Sequence, residues 1–180
     1  MLSLLPDFAD PRRLCVLGKA YEGRLPLAQM PRLAPLLTST EGEAAFALAF
    51  ATDNEKRAIV TVNVSAEIHV QCQRCLGSMA LPVVSTTTLA VVSGPDEAER
   101  LPEDLDPLLV EDERIALPTL VEDELILAVP TAPLHSVDDC AVRLDDVNAA
   151  EAAGDADRHR RDDNPFAALA DWKSDEQQQD

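Results

Sequence analysis

The sequence predicts an α+β fold, in which an antiparallel β-sheet, either open or curled and barrel-like, packs against one amphipathic helix and is followed by a short C-terminal helix. Two observations carry this prediction. Apolar and polar side chains alternate over long runs between residues 43 and 92, which is the period of half-buried strands. Between residues 117 and 128, apolar side chains recur at helical spacing. The chain has 180 residues and is 46% hydrophobic, which suffices for one such core.

The central strands are predicted from EAAFALAF and the segment that follows it. Phe46, Leu48 and Phe50 alternate with alanines before a polar turn. Beyond that turn, every second residue from 60 to 70 is apolar, which indicates a long strand with one buried face. The same phase places Cys72 on the apolar face, at the corner where the strand ends.

Further elements are predicted on either side of these strands. A third long strand follows the corner in MALPVVSTTTLAVV, and residues 21–25 are a weaker strand candidate. The segment AQMPRLAPLL predicts a short helix that Pro31 and Pro35 interrupt. Short strands are expected at 108–110 and 114–116.

The amphipathic helix is predicted to begin at a capping box and to end at Pro130. Thr119 and Glu122 have the Thr-x-x-Glu spacing of that box. The apolar stripe that would face the sheet consists of Leu117, Leu120, Val121, Leu125 and Ala128. Glu122 and Asp123 are then expected to face outward, with Glu124 near the edge of the stripe.

Composition divides the chain into one domain and a C-terminal extension. Residues 1–140 are predicted to form a single α+β domain. Residues 141–163 are charged and rich in alanine, which predicts an acidic, disordered linker. A proline at the first helical position and apolar residues at helical spacing predict a short docking helix at 164–173, and residues 174–180 are expected to be a disordered tail.

The net charge of −18 is unevenly distributed. Residues 1–95 contain eight acidic and eight basic side chains, whereas residues 96–180 contain 25 acidic and 7 basic ones. An acidic surface repels phosphate, so a basic protein is a more natural partner than naked nucleic acid. The N-terminal segment has no basic leader, and no apolar run reaches the roughly 18 residues of a membrane helix, which predicts a cytoplasmic protein without a membrane partner.

The motif Cys72-Gln73-Arg74-Cys75 has three interpretations. A redox pair would need a helix after the first cysteine, and a strand is predicted there instead. A zinc site would need two more ligands, and His135 and Cys140 in PLHSVDDC are the candidates. The residues leave this zinc site and a plain pair of buried thiols both open.

Catalytic motifs are absent from the sequence. Only six glycines are present, with no Gly-rich phosphate loop, no Gly-x-Ser-x-Gly elbow and no His-Glu-x-x-His. The sequence therefore predicts that the protein is not an enzyme and has no catalytic residues.

Three segments resemble a known family. They are QCQRCL after a strand, LVEDELILAVPTAPLH with a cysteine shortly after it, and NPFAALADWK, in the same order over about Leu14 to Lys173. This combination resembles the YceD family, the large ribosomal RNA subunit accumulation proteins. The resemblance implies a bacterial, cytoplasmic, non-enzymatic protein that is needed for normal accumulation of large-subunit ribosomal RNA. Some members carry a cysteine pair where this chain has His135 and Cys140, and zinc ligation can survive such an exchange.

Two functional hypotheses follow. In the first, the protein is a ribosome biogenesis factor that binds a basic ribosomal protein or a large-subunit assembly factor. Its partner-binding residues would lie on the amphipathic helix and in the docking helix, and they are Glu122, Asp123, Glu124, Asn164, Pro165, Phe166 and Trp172. In the second, the protein binds ribosomal RNA directly through a zinc-organised corner around Arg74.

Overall fold

The structure, a computed structural model, describes residues 5–110 and 113–142. The described residues up to Ser136 form one compact unit, and the chain from Val137 onward is assigned to a second unit, described as far as residue 142. The predicted linker beyond that residue, the docking helix and the tail therefore lie outside the described residues. Within the described ranges, no helix is long and apolar enough to cross a membrane.

The secondary structure of the described chain consists mainly of strands. They are β1 (Phe8–Ala9), β2 (Ala20–Pro26), β3 (Leu37–Ser39), β4 (Glu43–Thr52), β5 (Ala58–Gln71), β6 (Ser78–Val92), β7 (Asp106–Leu109) and β8 (Ile115–Ala116). The helices are α1 (Pro11–Val16), α2 (Pro95–Ala98) and α3 (Leu117–Ala128), with 3-10 turns at Leu27–Gln29 and Ala34–Leu36.

A six-stranded sheet organises these elements. Its main path has the order β2-β4-β5-β6-β7, and β3 pairs with the end of β5 that β4 leaves free. All neighbours in the sheet are antiparallel except β6 and β7, which are parallel, and β1 and β8 form a separate antiparallel pair. The predicted α+β class is confirmed. Among the described residues β2 and β7 are the ends of the path, so this sheet is open and does not close into a barrel.

The β4–β5 hairpin confirms the strand pair predicted from the alternating pattern. Three apolar pairs join its buried face, and they are Phe46 with Val64, Leu48 with Val62, and Phe50 with Val60. The Asp53 side chain closes the turn by accepting hydrogen bonds from the backbone N–H groups of Glu55 at 2.9 Å and Arg57 at 2.8 Å. A short polar side chain that bonds its own backbone is a common turn-forming device.

Helix α3 packs on β5 and β6 through the predicted apolar stripe. The buried side chains of that stripe are Leu117, Leu120, Val121 and Leu125. The predicted capping box is wrong, because α3 begins at Leu117 after Ala116, and no side chain caps it. Thr119 therefore lies within the first helical turn. Glu122 does not cap the helix but accepts hydrogen bonds from Arg32 and Leu33.

The outward orientation expected for Glu122 is also wrong. Glu122 is only 5% exposed, and its Oε1 accepts hydrogen bonds from the backbone N–H groups of Arg32 at 2.7 Å and Leu33 at 3.1 Å. These residues lie between the two 3-10 turns, where backbone N–H groups lack the regular partners of an α-helix. The Arg32 guanidinium also pairs with Glu122, at 3.2 Å from Nε to Oε2. Glu122 thus holds the segment between β2 and β3 against α3.

The neighbouring carboxylates differ in their surroundings. Glu124 is 4% exposed, and its Oε2 accepts hydrogen bonds from the hydroxyls of Ser85 at 3.0 Å and Thr87 at 2.7 Å on β6. The side chain of Asp123 is 45% exposed and pairs with Arg32, 2.6 Å from Nη2 to Oδ1. Of these three carboxylates, only Asp123 remains partly accessible to solvent.

Two short segments differ from the sequence-based prediction. Helix α1 was not predicted, because its six residues provide fewer than two turns of apolar period. Its local signals are nevertheless present, since the Asp10 side chain caps the Arg13 N–H and Pro11 occupies the first turn. The short helix expected in AQMPRLAPLL is instead a pair of 3-10 turns, because Pro31 and Pro35 lack the N–H groups that an α-helix requires.

Replacing Glu122 by alanine is expected to lower the free energy of unfolding by about 3 kcal/mol, because two backbone N–H groups and an arginine lose their acceptor. The matched change Asp123→Ala removes a surface ion pair and should cost about 1 kcal/mol or less. Urea unfolding of both variants measures the difference, and equal losses would contradict the structural role of Glu122.

Candidate metal centre

Cys72 and Cys75 lie in the tight turn that joins β5 to β6. The Cys72 N–H donates to the carbonyl of Gly77, and the Leu76 N–H donates to the carbonyl of Cys72, both at 2.9 Å. Leu76 closes this turn with a φ of 59°, in the left-handed region that non-glycine residues seldom adopt. Strand β6 then begins at Ser78, so a strand follows the cysteines, as the sequence predicts, and not the helix N-terminus of a thioredoxin-type redox pair.

The segment 133–135, which follows α3, is held against this turn by three hydrogen bonds. The Gln73 N–H donates to the carbonyl of Pro133 at 2.8 Å, and Nη2 of Arg74 donates to the carbonyl of His135 at 2.8 Å. The His135 N–H in turn points at Sγ of Cys72, 3.4 Å away. These contacts place the histidine beside the two cysteines although it follows Cys75 by 60 residues.

Three of the four predicted ligands are thereby brought together. Sγ of Cys75 lies 3.3 Å from Nδ1 of His135, and the ligand atoms of Cys72, Cys75 and His135 all lie within 4.8 Å of one another. Cys140, the fourth predicted ligand, belongs to the second unit. The first unit therefore contains two cysteines and one histidine that could hold a metal ion.

The surroundings of Cys72 favour a thiolate. Burial opposes ionisation, but backbone N–H groups of Cys75, His135 and Arg74 are directed at the sulfur and lower the pKa of Cys72 to about 5. The hydrogen bond between Cys72 and the His135 side chain raises the pKa of His135, and burial opposes this shift. The hydrogen bonds at Cys72 therefore stabilise a negative charge on its sulfur.

Cys15 lies outside this cluster, and its surroundings do not stabilise a thiolate. It is 3% exposed, and its thiol donates to the carbonyl of Ile59 at 3.3 Å. Burial raises the pKa of the Cys15 thiol, so it remains protonated and packs as a small apolar group. Cys15 is therefore a plain buried thiol, whereas Cys72 has N–H donors that stabilise a thiolate, the form of cysteine that binds metals.

The donor set fits zinc. Zinc binds thiolate sulfur and imidazole nitrogen in tetrahedral geometry, with ligand atoms about 3.8 Å apart when each lies about 2.3 Å from the ion. The separations found here, 4.8 Å or less, need only small side-chain adjustments to reach that arrangement. The backbone N–H groups aimed at Cys72 would act as the outer shell that orients and tunes a metal ligand.

Of the other predicted site residues, Glu122, Asp123 and Glu124 lie on α3, and Asn164, Pro165, Phe166 and Trp172 lie outside the described residues. Arg74 is not a ligand but lies in the turn that carries Cys72 and Cys75. Its guanidinium spans the two segments of the site by bonding to His135, and its buried Nε has no hydrogen-bond partner among the described residues. Gln73 and Pro133, which connect the segments through backbone atoms, were not predicted. Sequence contains no signal for such contacts, because any residue could supply an N–H or a carbonyl group there.

Comparison with known proteins agrees with the resemblance seen in the motifs. The family model described as Large ribosomal RNA subunit accumulation protein YceD matches residues 60–173. The Large ribosomal RNA subunit accumulation protein YceD of Haemophilus influenzae is 32% identical over 174 residues, which cover 94% of this chain and 96% of that protein. No solved structure matches the chain. The matched region contains all four predicted metal ligands, and the chain belongs to the YceD family of large ribosomal RNA subunit accumulation proteins.

Proposed function

We propose that this protein is a ribosome biogenesis factor that acts in the cytoplasm and supports the accumulation of large-subunit ribosomal RNA. Family membership over nearly the whole chain is the observation that carries this proposal. The protein acts by binding a partner and not by catalysis. This mode of action agrees with a sequence that has none of the common catalytic motifs.

The partner in this proposal is a basic ribosomal protein or a basic assembly factor. Residues 96–180 contain 25 acidic and 7 basic side chains, an excess of negative charge that attracts cationic proteins and repels phosphate. Complementary charge speeds encounter and discriminates against wrong partners. Aromatic anchors contribute affinity in such complexes, and Phe166 and Trp172 have that role in the proposal. The RNA is then stabilised indirectly, through delivery of the protein that covers it.

Zinc has a structural role in this proposal. Cys72, Cys75, His135 and Cys140 would fill all four tetrahedral positions and leave none for a reacting water molecule. A closed site of this kind stabilises a fold instead of catalysing a reaction. Here it would tie the β5–β6 turn to the segment that follows α3.

The alternative hypothesis of direct RNA binding has less support. It relies on Arg74 as a phosphate ligand, but the Arg74 guanidinium is half-buried and donates to the His135 carbonyl. An arginine committed to an internal hydrogen bond contributes less to phosphate binding than a solvated one. The geometry of Arg74 thus favours a role in shaping the cysteine turn.

We expect the purified chain to contain about one zinc ion per molecule, held by the four predicted ligands. Cys72→Ser should reduce the zinc content strongly, because a hydroxyl is a poor replacement for a thiolate. The matched control Cys15→Ser lies outside the cluster and should retain zinc. Plasma mass spectrometry of the proteins measures this, and equal zinc content in the two variants would contradict the assignment.

Zinc affinity is expected to weaken as the pH falls. His135 must lose its proton to bind zinc, and its pKa is raised by its hydrogen bond to Cys72. Below that raised pKa, protons compete with the metal for the imidazole, and at still lower pH they also compete for the thiolates. Competition with a chelator across the range of about pH 5 to 8 tests the sign of the effect. Tighter binding at the acidic end would argue against His135 as a ligand.

A tagged full-length chain is expected to retain a basic large-subunit protein from lysate after ribonuclease treatment. The contact is proposed to be between proteins, so removal of RNA should leave it intact, while moderate salt should weaken it. Mass spectrometry and RNA quantification of the captured material give the readout.

A double variant tests the docking helix predicted at 164–173. Phe166→Ala with Trp172→Ala should reduce capture while leaving the unfolding transition unchanged.

The ribonuclease experiment can also contradict the proposal. If the wild-type chain retains ribosomal RNA and loses every captured protein on ribonuclease treatment, the partner is RNA and the proposed mechanism is wrong.

A further inference from the structure

A groove of about 1080 Å³ runs along the free edge of β2. The four consecutive β2 residues from Glu22 to Leu25 all line it. Because successive side chains of a strand point to opposite faces, a groove that touches all four must follow the strand edge. Leu25 and Pro31 contribute apolar surface, and Pro118 and other residues from the start of α3 also line the groove.

The edge of β2 offers unpaired backbone groups to this groove. The Phe50 N–H donates to the carbonyl of Lys19 at 2.8 Å. With the register of β2 and β4, this bond shows which residues of β2 direct their backbone groups toward β4 and which direct them away. In that register, Glu22 and Arg24 point their N–H and carbonyl groups away from β4. Among the described residues, β2 has no strand on that side. Such an edge is a template for an added strand.

The charge of the groove favours a cationic occupant. Its lining includes the carboxylates of Asp7, Glu22, Glu43 and Glu122, against the single cation Arg24. Glu122 is already paired with Arg32, outside the lining. The other three carboxylates are exposed and form no ion pair within the described part of the chain. This local excess occurs in the half of the sequence that is neutral overall.

We propose that the groove binds an extended segment of a protein partner, rich in lysine or arginine, which adds to the sheet as a strand beside β2. Backbone hydrogen bonds to Glu22 and Arg24 provide the strand pairing, and Asp7, Glu22 and Glu43 receive the basic side chains. The apolar side chains of Leu25 and Pro31, which line the groove and are not buried, receive an intervening aliphatic side chain. This inference rests on the proposed function, since it supplies a site for the basic partner.

Two other occupants are less suited to the groove. The segment NPFAALADWK of this chain carries one acidic and one basic side chain, so it has no excess positive charge to match the carboxylates. A second copy of the chain could pair β2 with β2, but it would bring two acidic grooves together in a molecule with a net charge of −18. Charge complementarity therefore selects a basic partner.

The test uses the full-length chain and a fluorescein-labelled octapeptide of alternating lysine and valine. Fluorescence anisotropy at low ionic strength measures its affinity. A peptide of the same sequence with alternate backbone N-methyl groups keeps the charge and removes the donors needed for strand pairing. A glutamate–valine octapeptide controls for the sign of the charge.

The test variant is Glu22→Lys with Glu43→Lys, which reverses two lining charges. Its matched control is Glu99→Lys with Glu103→Lys, which changes the net charge equally at exposed positions outside the lining. We expect the lysine–valine peptide to bind the wild type and the control variant, and to bind the groove variant about tenfold more weakly. The N-methylated peptide should also bind the wild type about tenfold more weakly, because its strand pairing is blocked.

Several results would overturn the proposal. Equal affinity of the two lysine peptides would exclude strand addition, and equal affinity of the two double variants would exclude the groove. A wild-type dimer that dissociates only in the groove variant would show that a second copy occupies the edge. If the groove variant loses the peptide but still retains the basic protein from lysate, the partner binds elsewhere and the proposed function stands. A wild type that binds the peptide but retains no basic protein contradicts the proposed function instead.

Discussion

The pairing of β5 with three other strands is the constraint on which the rest of the structure depends. β5 is hydrogen-bonded to β4 and β6 along most of its length and to β3 near its end. Its inward residues from Val60 to Val70 form the centre of the core, and each buried valine contributes about 2 kcal/mol by leaving water. The same strand delivers Cys72 to the buried corner. A shift of one residue in its register would therefore disrupt both the core and the ligand cluster.

Among the described residues, three buried groups that can carry negative charge are stabilised in the same way. Glu122 accepts backbone N–H groups from the segment between the two 3-10 turns, and Glu124 accepts two hydroxyls from β6. Cys72 accepts N–H groups from its own turn and from His135. In each case donors aimed at the charged atom offset the cost of removing it from water. The two carboxylates connect α3 to the rest of the fold, and the sulfur connects the β5–β6 turn to the segment beyond α3.

Carboxylates outnumber basic side chains in the second half of the sequence and in the groove beside β2. The strongly acidic second half accounts for the whole net charge. The groove beside β2 is lined by residues of both halves, but its three solvent-exposed carboxylates belong to the neutral half. They lie next to a strand edge that has no neighbouring strand among the described residues. Both parts suit a cationic protein better than a nucleic acid, whose phosphates they would repel. A factor in ribosomal RNA accumulation can have this charge if it acts on the proteins that cover the RNA.

The sequence by itself determined the long strands, the apolar stripe of α3 and the residue types of the ligand cluster, because alternation, helical spacing and ligand chemistry are properties of the local chain. Tertiary structure alone decided the orientation of Glu122, since the Arg32 N–H group that donates to its carboxylate lies 90 residues away in the sequence. It also decided that His135 meets Cys75, through hydrogen bonds made by backbone atoms that any residue type could supply. Contacts between distant backbone groups leave no pattern in the amino-acid sequence, so only the folded chain reveals them.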